Sequence, residues 1–130
     1  MQCRKALTEA EGSMEQAFVL LKKRGAEAAA KKSGRALGAG AVASYIHPGA
    51  LVGALVVLSS ETDFVSRNPE FQSLARDIAM HIAAMNPESG ALLEQPFIKD
   101  EKQTVRELIE SAVQKFGERI EVTEFTRFSV

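Results

Sequence analysis

Apolar residues recur along the chain at two spacings, which predict helices at its start and in its second half, with strands between and after them. Helical spacing within residues 3–10 predicts a first short helix that ends at Gly12. The sequence Ser13-Met14-Glu15-Gln16 has the form of a capping box, and a second apolar stripe follows it. We expect this second helix to end at Gly25, because glycine is favoured at helix C-termini.

The middle of the chain has the composition of β-strands. Residues 42–47 and 51–59 favour β-structure, and the Pro48-Gly49-Ala50 segment between them is typical of a hairpin loop. The second run is apolar at nearly every position, which predicts a strand that is covered on both faces or whose second face meets another subunit. Gly53 within this run predicts a β-bulge or a close backbone approach.

A longer helix is predicted after this β-rich region. Asn68-Pro69-Glu70 supplies an N-cap, a proline at the first helical position and an acid in the first turn. We expect the helix to end at Asn86-Pro87 and a linker to run from there to Pro96. The apolar stripe comprises Phe71, Leu74, Ala75, Ile78, Ile82 and Met85. Met80 lies opposite this stripe, which indicates a second buried surface.

One more helix and a strand complete the pattern. Thr104-Val105-Arg106-Glu107 is a second capping box, and Gly117 should end the helix that it opens. The tail alternates like a strand, but its apolar positions change parity between Val122 and Phe125, so we expect a bulge or bend there.

The order of these elements predicts an α+β fold, in which a small antiparallel β-sheet is covered by helices on one face. A short helical module precedes the sheet. The predicted division is a helical module over residues 1–33, a Gly-rich linker over residues 34–41 and an α+β core over residues 42–130.

Composition excludes several classes of protein. The chain has 130 residues, of which 45% are hydrophobic and 25% charged, as expected for a globular domain. A net charge of −1 lacks the electrostatic footprint of a nucleic-acid-binding protein, so we expect no direct nucleic-acid partner. The one cysteine, Cys3, cannot form an internal disulfide, and no signal peptide or membrane-length apolar run is present. We therefore expect a cytoplasmic protein with no membrane partner.

Glu61-Thr62-Asp63-Phe64-Val65 connects the apolar strand to the long helix. Such connections run over the surface, and binding groups are often found on them. The Phe64 ring therefore has two interpretations. General burial preferences favour a ring that turns back under the sheet, whereas the enrichment of aromatic residues in interfaces favours a ring presented to a partner.

No catalytic or metal-binding constellation stands out in the sequence. His47 and His81 lie on different elements, and neither a nucleophile motif nor a Walker A sequence is present. His81 is better explained as a residue beside the core that makes a hydrogen bond than as a metal ligand. We therefore expect no cofactor, no metal and a protein that works by binding. An enzyme with its own small substrate would require a polar pocket around His47 or His81.

Several segments resemble parts of one protein family, and they occur along the chain in the same order as in that family. Thr62-Asp63-Phe64-Val65, followed by Arg67-Asn68 and Phe71, is similar to the signature of elongation factor Ts, the nucleotide-exchange factor for the translational GTPase elongation factor Tu. Residues 3–10 resemble the family's ubiquitin-associated-like N-terminal module. Residues 78–84, 95–100 and 117–128 are also similar to family segments.

The sequence departs from the family pattern at two places. We expect the N-terminal module to lack its first helix, and only a few residues join Asn86-Pro87 to Leu92, where the family usually carries a long helical insertion. The resemblance therefore implies a short form with a single core subdomain. Single-core members pair as homodimers, so a homodimer is expected here as well.

The resemblance also implies a set of partner-binding residues. Asp63 and Phe64, within the segment Thr62 to Val65, match residues that enter the GTPase domain of elongation factor Tu and disturb the region that holds its magnesium ion and nucleotide phosphates. Arg4 matches a basic contact of the N-terminal module. Val52, Gly53 and His81 match positions that contact a more distant domain of the partner, and in a dimer they could act from the other subunit.

The function implied by the resemblance is guanine-nucleotide exchange on elongation factor Tu. The alternative is a binding or scaffold protein that keeps the fold and the partner but has lost exchange activity through its deletions.

Overall fold

The computed structural model describes residues 14–88 and 90–130, in ten helices and strands. In chain order they are α1 (Met14–Lys32), β1 (Ala39–Ile46), β2 (Val52–Ser60), α2 (Asp63–Ser66), α3 (Pro69–Met85), a 3-10 turn (Leu92–Glu94), β3 (Pro96–Phe97), β4 (Asp100–Thr104), α4 (Val105–Phe116) and β5 (Glu121–Ser129). The helix predicted over residues 3–10 and the predicted contact residue Arg4 lie outside the described residues.

The main sheet is antiparallel, and its strand order is β1-β2-β5. β1 and β2 form the predicted hairpin, closed by a hydrogen bond from the Ala50 amide to the His47 carbonyl at 2.9 Å. β1 begins at Ala39, three residues before the predicted start. The small side chains of residues 39–41, which suggested a linker, pair along β2 from Leu58 to Ser60 instead.

The core lies between one face of this sheet and the helices. Ala54, Val56 and Leu58 of β2 are buried on that face. They belong to one apolar cluster with residues of α3 and α4, including Phe71 and Ile109. This arrangement confirms the predicted α+β fold.

The other face of the sheet, here called the outer face, is open. Leu55 projects from β2 on this face and is 46% exposed, so β2 is not covered on both sides within the described part of the chain. The predicted arrangement with both faces covered is therefore not found in the described residues, and a contact of the second face with another subunit stays a prediction. The exposed large apolar residues of this face are Val42, Ile46, Leu55 and Phe128.

Gly53 marks a close approach and not a bulge. The β1–β2 register is continuous through its pairing with Ile46, so the predicted bulge is wrong. A Cβ atom at Gly53 would lie 2.6 Å from Ile46 Cδ1 and 3.2 Å from the Tyr45 carbonyl oxygen. The predicted close approach is therefore confirmed, because the Tyr45 carbonyl and the tip of the Ile46 side chain both lie against this position.

The predicted irregularity in the closing strand is confirmed. The β2–β5 register shifts between Val57, which pairs with Glu124, and Leu58, which pairs with Val122. Thr123 is thus the extra residue, and its hydroxyl lies 3.0 Å from that of Ser59. The bulge lets Val122 and Phe125 both pack against the core in spite of their change of parity.

The predicted boundaries of α3 and α4 are also confirmed. Asn68 caps α3 by accepting a hydrogen bond from the Glu70 amide at 2.8 Å, and Asn86 ends it in a left-handed conformation. Thr104 and Glu107 form the predicted capping box of α4, and Gly117 is its left-handed C-cap. Met80 is half-buried, so the helix is covered beyond its predicted stripe.

The predicted end of α1 at Gly25 is wrong, because the helix continues to Lys32. Gly25 is buried where α1 packs on α4, and a Cβ atom there would lie 3.3 Å from the Glu110 carbonyl oxygen. Glycine therefore serves close helix packing at this position. Lys22 strengthens the contact by pairing with Glu107 at 3.2 Å.

The predicted linker up to Pro96 contains structure that the pattern did not indicate. Leu92 is buried in the 3-10 turn, and Phe97 is buried in the β3–β4 hairpin that follows. Both residues join the main core. The division into domains over residues 1–33, 34–41 and 42–130 stays a prediction. No helix in the described ranges is long and apolar enough to cross a membrane.

Candidate partner-binding site

The predicted binding segment forms a tight turn between β2 and α3. β2 ends at Ser60, Glu61 and Thr62 make the turn, and Asp63–Ser66 form the short helix α2. The Ser66 amide donates to the Thr62 carbonyl at 3.3 Å, and the Arg67 amide donates to the Asp63 carbonyl at 3.0 Å. The apolar run of β2 stops here because polar residues succeed it, and the chain reverses before α3 begins.

Neighbouring residues of α2 point in opposite directions. Val65 and Ser66 are only 8% and 4% exposed, and Val65 belongs to the main core. The Phe64 ring is 92% exposed. A large aromatic ring left almost wholly in water contributes little to folding, so the interpretation of Phe64 as a plug under the sheet is wrong.

Asp63 lies beside the exposed ring and is itself accessible. Its side chain is 71% exposed and is 3.9 Å from the Arg67 guanidinium, which is 82% exposed. A pair this open to water contributes little to stability, because solvent screens it. The carboxylate can therefore exchange Arg67 for another polar group at low cost.

Glu118, in the loop between α4 and β5, holds the turn from the other side. Its Oε1 accepts hydrogen bonds from the Glu61 amide at 3.1 Å and from the Thr62 amide at 3.0 Å. Its Oε2 accepts a third, from the Thr62 hydroxyl at 2.6 Å. One carboxylate thus occupies the donors that directly precede α2.

A reciprocal contact runs in the opposite direction. The Arg119 amide donates to Glu61 Oε2, which also lies 3.6 Å from Arg35 Nη1. Arg119 Nη1 in turn donates to the Arg35 carbonyl at 2.6 Å. Glu61, Arg119 and Arg35 therefore link the turn, the α4–β5 loop and the segment after α1.

The sequence patterns did not predict these contacts. The contacts that Glu118 and the Arg119 amide make with the turn join residues more than fifty positions apart, and hydrophobic periodicity carries no information about such pairs. The charged dipeptide Glu118-Arg119 directly after the helix-ending Gly117 was the one visible signal.

The other predicted site residues that the structure describes lie at the opposite end of the sheet. Val52 and Gly53 begin β2, and that strand separates them from the turn by roughly 25 Å. Arg127, paired with Ala54, donates from Nε to the Ala83 carbonyl at 2.9 Å, so the C-terminal half of α3 lies at this end too. The structure thus brings Thr62 to Val65 together and sets Val52, Gly53 and His81 apart from them.

His81 is fully buried and makes hydrogen bonds through both ring nitrogens. The Ile98 amide donates to Nδ1 at 3.1 Å, so the ring proton lies on Nε2, which donates to Gln95 Oε1 at 2.8 Å. The ring also stacks on Phe97, with centroids 5.9 Å apart. His81 thus holds the 3-10 turn and the β3–β4 hairpin against α3, as the hydrogen-bonding interpretation predicted. Its contact with a partner stays a prediction that would require the side chain to leave this position.

Two carboxyl groups on α4 have shifted pKa values. Burial raises the pKa of Glu110, and the neighbouring Glu107 adds to this effect while Arg106 opposes it. Burial would also raise the pKa of Glu107, but its hydrogen bond from the Thr104 amide and its contact with Lys22 leave that pKa below the usual value. Glu107 joins α4 to α1 through Lys22, and both carboxyl groups lie in the first half of α4, apart from the exposed turn.

These features describe an α+β domain that displays an acidic and aromatic turn on an internally braced support. Comparison with known proteins identifies its family. The family model described as elongation factor TS matches residues 29–90. Elongation factor Ts of Koribacter versatilis is 39% identical over 176 aligned residues, which include all of this chain and 80% of the relative. The proteins of the same name from Alkaliphilus oremlandii and Thermosipho melanesiensis are 38% and 37% identical, and 81% and 90% of their lengths are covered.

The chain therefore belongs to the elongation factor Ts family, whose members are translation elongation factors. The resemblance found in the sequence is confirmed. The alignments are longer than the 130 residues of this chain, so these relatives carry residues that it lacks.

Proposed function

We propose that this protein is a guanine-nucleotide exchange factor that promotes GDP release from elongation factor Tu. The observation that carries the proposal is the almost complete exposure of Phe64 on a turn whose next residue, Val65, is anchored in the core. Membership of the elongation factor Ts family supports elongation factor Tu as the partner, and the resemblance of the turn to the family signature implies the reaction.

The proposed mechanism requires no covalent chemistry. An exchange factor binds the empty GTPase more tightly than the nucleotide-bound form, and linkage then requires the factor and the nucleotide to weaken each other's binding. Insertion of Phe64 into an apolar site would contribute about 1.5–3 kcal/mol from burial of the ring. About 1.4 kcal/mol of this, if available only in the nucleotide-free form, weakens nucleotide binding about tenfold.

Asp63 would act beside Phe64 as a competitor for polar groups. Its carboxylate is accessible and only loosely paired with Arg67. On entering the GTPase domain it would draw away groups that support the magnesium ion and the phosphates. The Phe64 ring would stabilise the complex with the partner, and the Asp63 carboxylate would weaken the contacts that hold the nucleotide.

The proposal is tested by stopped-flow release of fluorescent GDP from elongation factor Tu. Excess wild-type protein should accelerate release, and Phe64→Ala should abolish most of that acceleration. Glu101→Ala is a suitable control, because this residue is exposed on the separate β3–β4 hairpin, away from the turn. Unchanged release with excess wild-type protein would exclude the proposal.

The alternative is a scaffold protein that binds elongation factor Tu without promoting exchange. It is favoured by one observation, that the aligned relatives carry residues which this chain lacks. Titration separates the two functions. Complex formation with no faster GDP release would support the scaffold, whereas binding and acceleration at the same concentrations would support exchange.

We also propose that the protein pairs as a homodimer through the outer face of its sheet. The apolar exposure of Val42, Ile46, Leu55 and Phe128 supports this arrangement, because charged and polar groups usually cover a face open to water. Phe128→Glu should then lower the mass measured by light scattering from two chains to one. Glu101→Ala, on the separate β3–β4 hairpin, should leave the mass unchanged.

The other implied contacts belong to the same proposal. Val52 and Gly53, at the end of the sheet opposite to the turn, would contact a distant domain of elongation factor Tu, from the same subunit or from the second one. His81, which is buried and bonded to Gln95 and Ile98, would contact the partner only after its side chain leaves this position.

A further inference from the structure

We propose that Glu118 is a positioning residue that fixes the direction in which the turn presents Asp63 and Phe64. The inference rests on the proposed exchange function and adds a residue to it from a distant part of the chain. It arises from the three hydrogen bonds that a single carboxylate accepts from Glu61 and Thr62.

The turn needs such a support because α2 is very short. Four residues form a single turn of helix, and isolated turns of this length are not stable in water. Val65 and Ser66 anchor its C-terminal side in the core. Its N-cap, Thr62, uses its hydroxyl to bond Glu118 and makes no side-chain bond to α2 itself. The N-terminal side of α2 is therefore held from outside, by Glu118.

The support is itself fixed in place. Gly117 ends α4 with a hydrogen bond to the Val113 carbonyl, and Ile120 beyond it is buried. Arg119 lies between them and bonds both Glu61 and the Arg35 carbonyl. Glu118 thus projects from a short segment that is tied at both ends. Its reach to the turn is set by the core and not by a free loop.

Loss of these bonds should loosen the turn without unfolding the domain. The Thr62 side chain is exposed and Glu61 is half-buried, so water can reach the amides released by Glu118→Ala. Val65 and Ser66 would still anchor the turn, but the Asp63–Phe64 edge could rotate about them. Binding to the partner would then have to order Asp63 and Phe64, which costs free energy, and the ring would often approach the partner in the wrong orientation.

The experiment compares Glu118→Ala, Glu118→Gln and the charge-matched control Glu101→Ala in the GDP-release assay at saturating factor. We expect Glu118→Ala to lower the maximal release rate about tenfold. A displacement of about 1 Å at a functional group can cost on the order of a hundredfold, and the loss is smaller here because Val65 and Ser66 still anchor the turn. Glu118→Gln should stay within about threefold of wild type, because its amide oxygen accepts the same backbone bonds more weakly. Glu101→Ala should match wild type.

A purely structural role would give a different result. It would lower the melting temperature and the active fraction, and so raise the concentration for half-maximal release while the maximal rate stayed unchanged. A wild-type maximal rate for Glu118→Ala would therefore overturn the proposal. So would a Glu118→Gln variant as slow as Glu118→Ala, because the hydrogen-bond geometry would then not be the cause.

Amide hydrogen exchange on the protein alone provides a second test. The Glu61 and Thr62 amides should exchange faster in Glu118→Ala than in wild type, and Glu118→Gln should restore most of their protection. If the Glu61 and Thr62 amides exchange hydrogen at the same rate in Glu118→Ala as in wild type, the proposal is overturned, whatever the GDP-release rates show. If the wild-type protein does not accelerate GDP release from elongation factor Tu, the exchange function is excluded. The amide measurement still decides whether Glu118 holds the turn.

Discussion

Adjacent residues in the turn should respond to truncation in opposite ways. Phe64→Ala removes a ring that is 92% exposed, so the folded protein loses about 0.2 kcal/mol, the covered fraction of the roughly 3 kcal/mol that full burial is worth. Val65→Ala removes two methyl groups from a side chain that is 8% exposed in the main core. At about 0.8 kcal/mol per methyl group, with a cavity term added, the loss is about 1.5–2.5 kcal/mol.

Urea unfolding followed by circular dichroism measures both losses of unfolding free energy. The dependence of that free energy on urea concentration, the m-value, should not change. In a thermal scan Val65→Ala should lower Tm by about 5–10 °C, while Phe64→Ala should leave it nearly unchanged. A Phe64→Ala loss above about 1 kcal/mol would mean that the ring is buried in solution, since surface substitutions usually stay within about 0.5 kcal/mol. A Val65→Ala variant as stable as wild type would mean that the turn is not anchored as described.

Further predictions concern the helices that support the turn. Thr104→Ala should reduce the free energy of unfolding by about 1 kcal/mol, because the Glu107 amide loses its cap, while Ser73→Ala at an exposed position of α3 should not. Glu110→Gln should raise Tm at neutral pH. The folded pKa of Glu110 is raised, so its ionised form destabilises the fold as pH rises through that pKa, and the advantage of Glu110→Gln should vanish below about pH 4. Gly25→Val should loosen the α1–α4 contact and lower Tm, because its side chain would press on the Glu110 carbonyl.

Local signals in the sequence were sufficient to predict most boundaries of the fold. Caps at Asn68 and Thr104 and the ending at Gly117 depend on nearby residues, and each is found as predicted. The bulge near Thr123 follows from alternation along one strand, so it too could be read locally.

The errors share a physical cause, which is tertiary packing. Glycine at position 25 indicates a helix end when read alone, but the neighbouring helix α4 makes it a packing residue. The β3–β4 hairpin has too few residues for a periodic pattern, and the burial of Phe97 against His81 stabilises it. Long-range contacts of this kind leave no local signal.

The candidate site could be predicted in part. The position of the turn followed from the end of β2 and the start of α3, and the resemblance favoured an exposed Phe64. The residues that brace the turn, Glu118 and Arg119, could not be predicted, because their partners lie more than fifty positions away.

The affinity of the protein for elongation factor Tu with and without GDP tests the central claim most directly. Titration of both forms under the same conditions gives the two dissociation constants. The account predicts binding to the nucleotide-free form that is tighter by at least about tenfold, or 1.4 kcal/mol, because linkage requires this for an exchange factor. Equal affinity for the two forms would contradict the account, since a factor without that preference cannot weaken GDP binding.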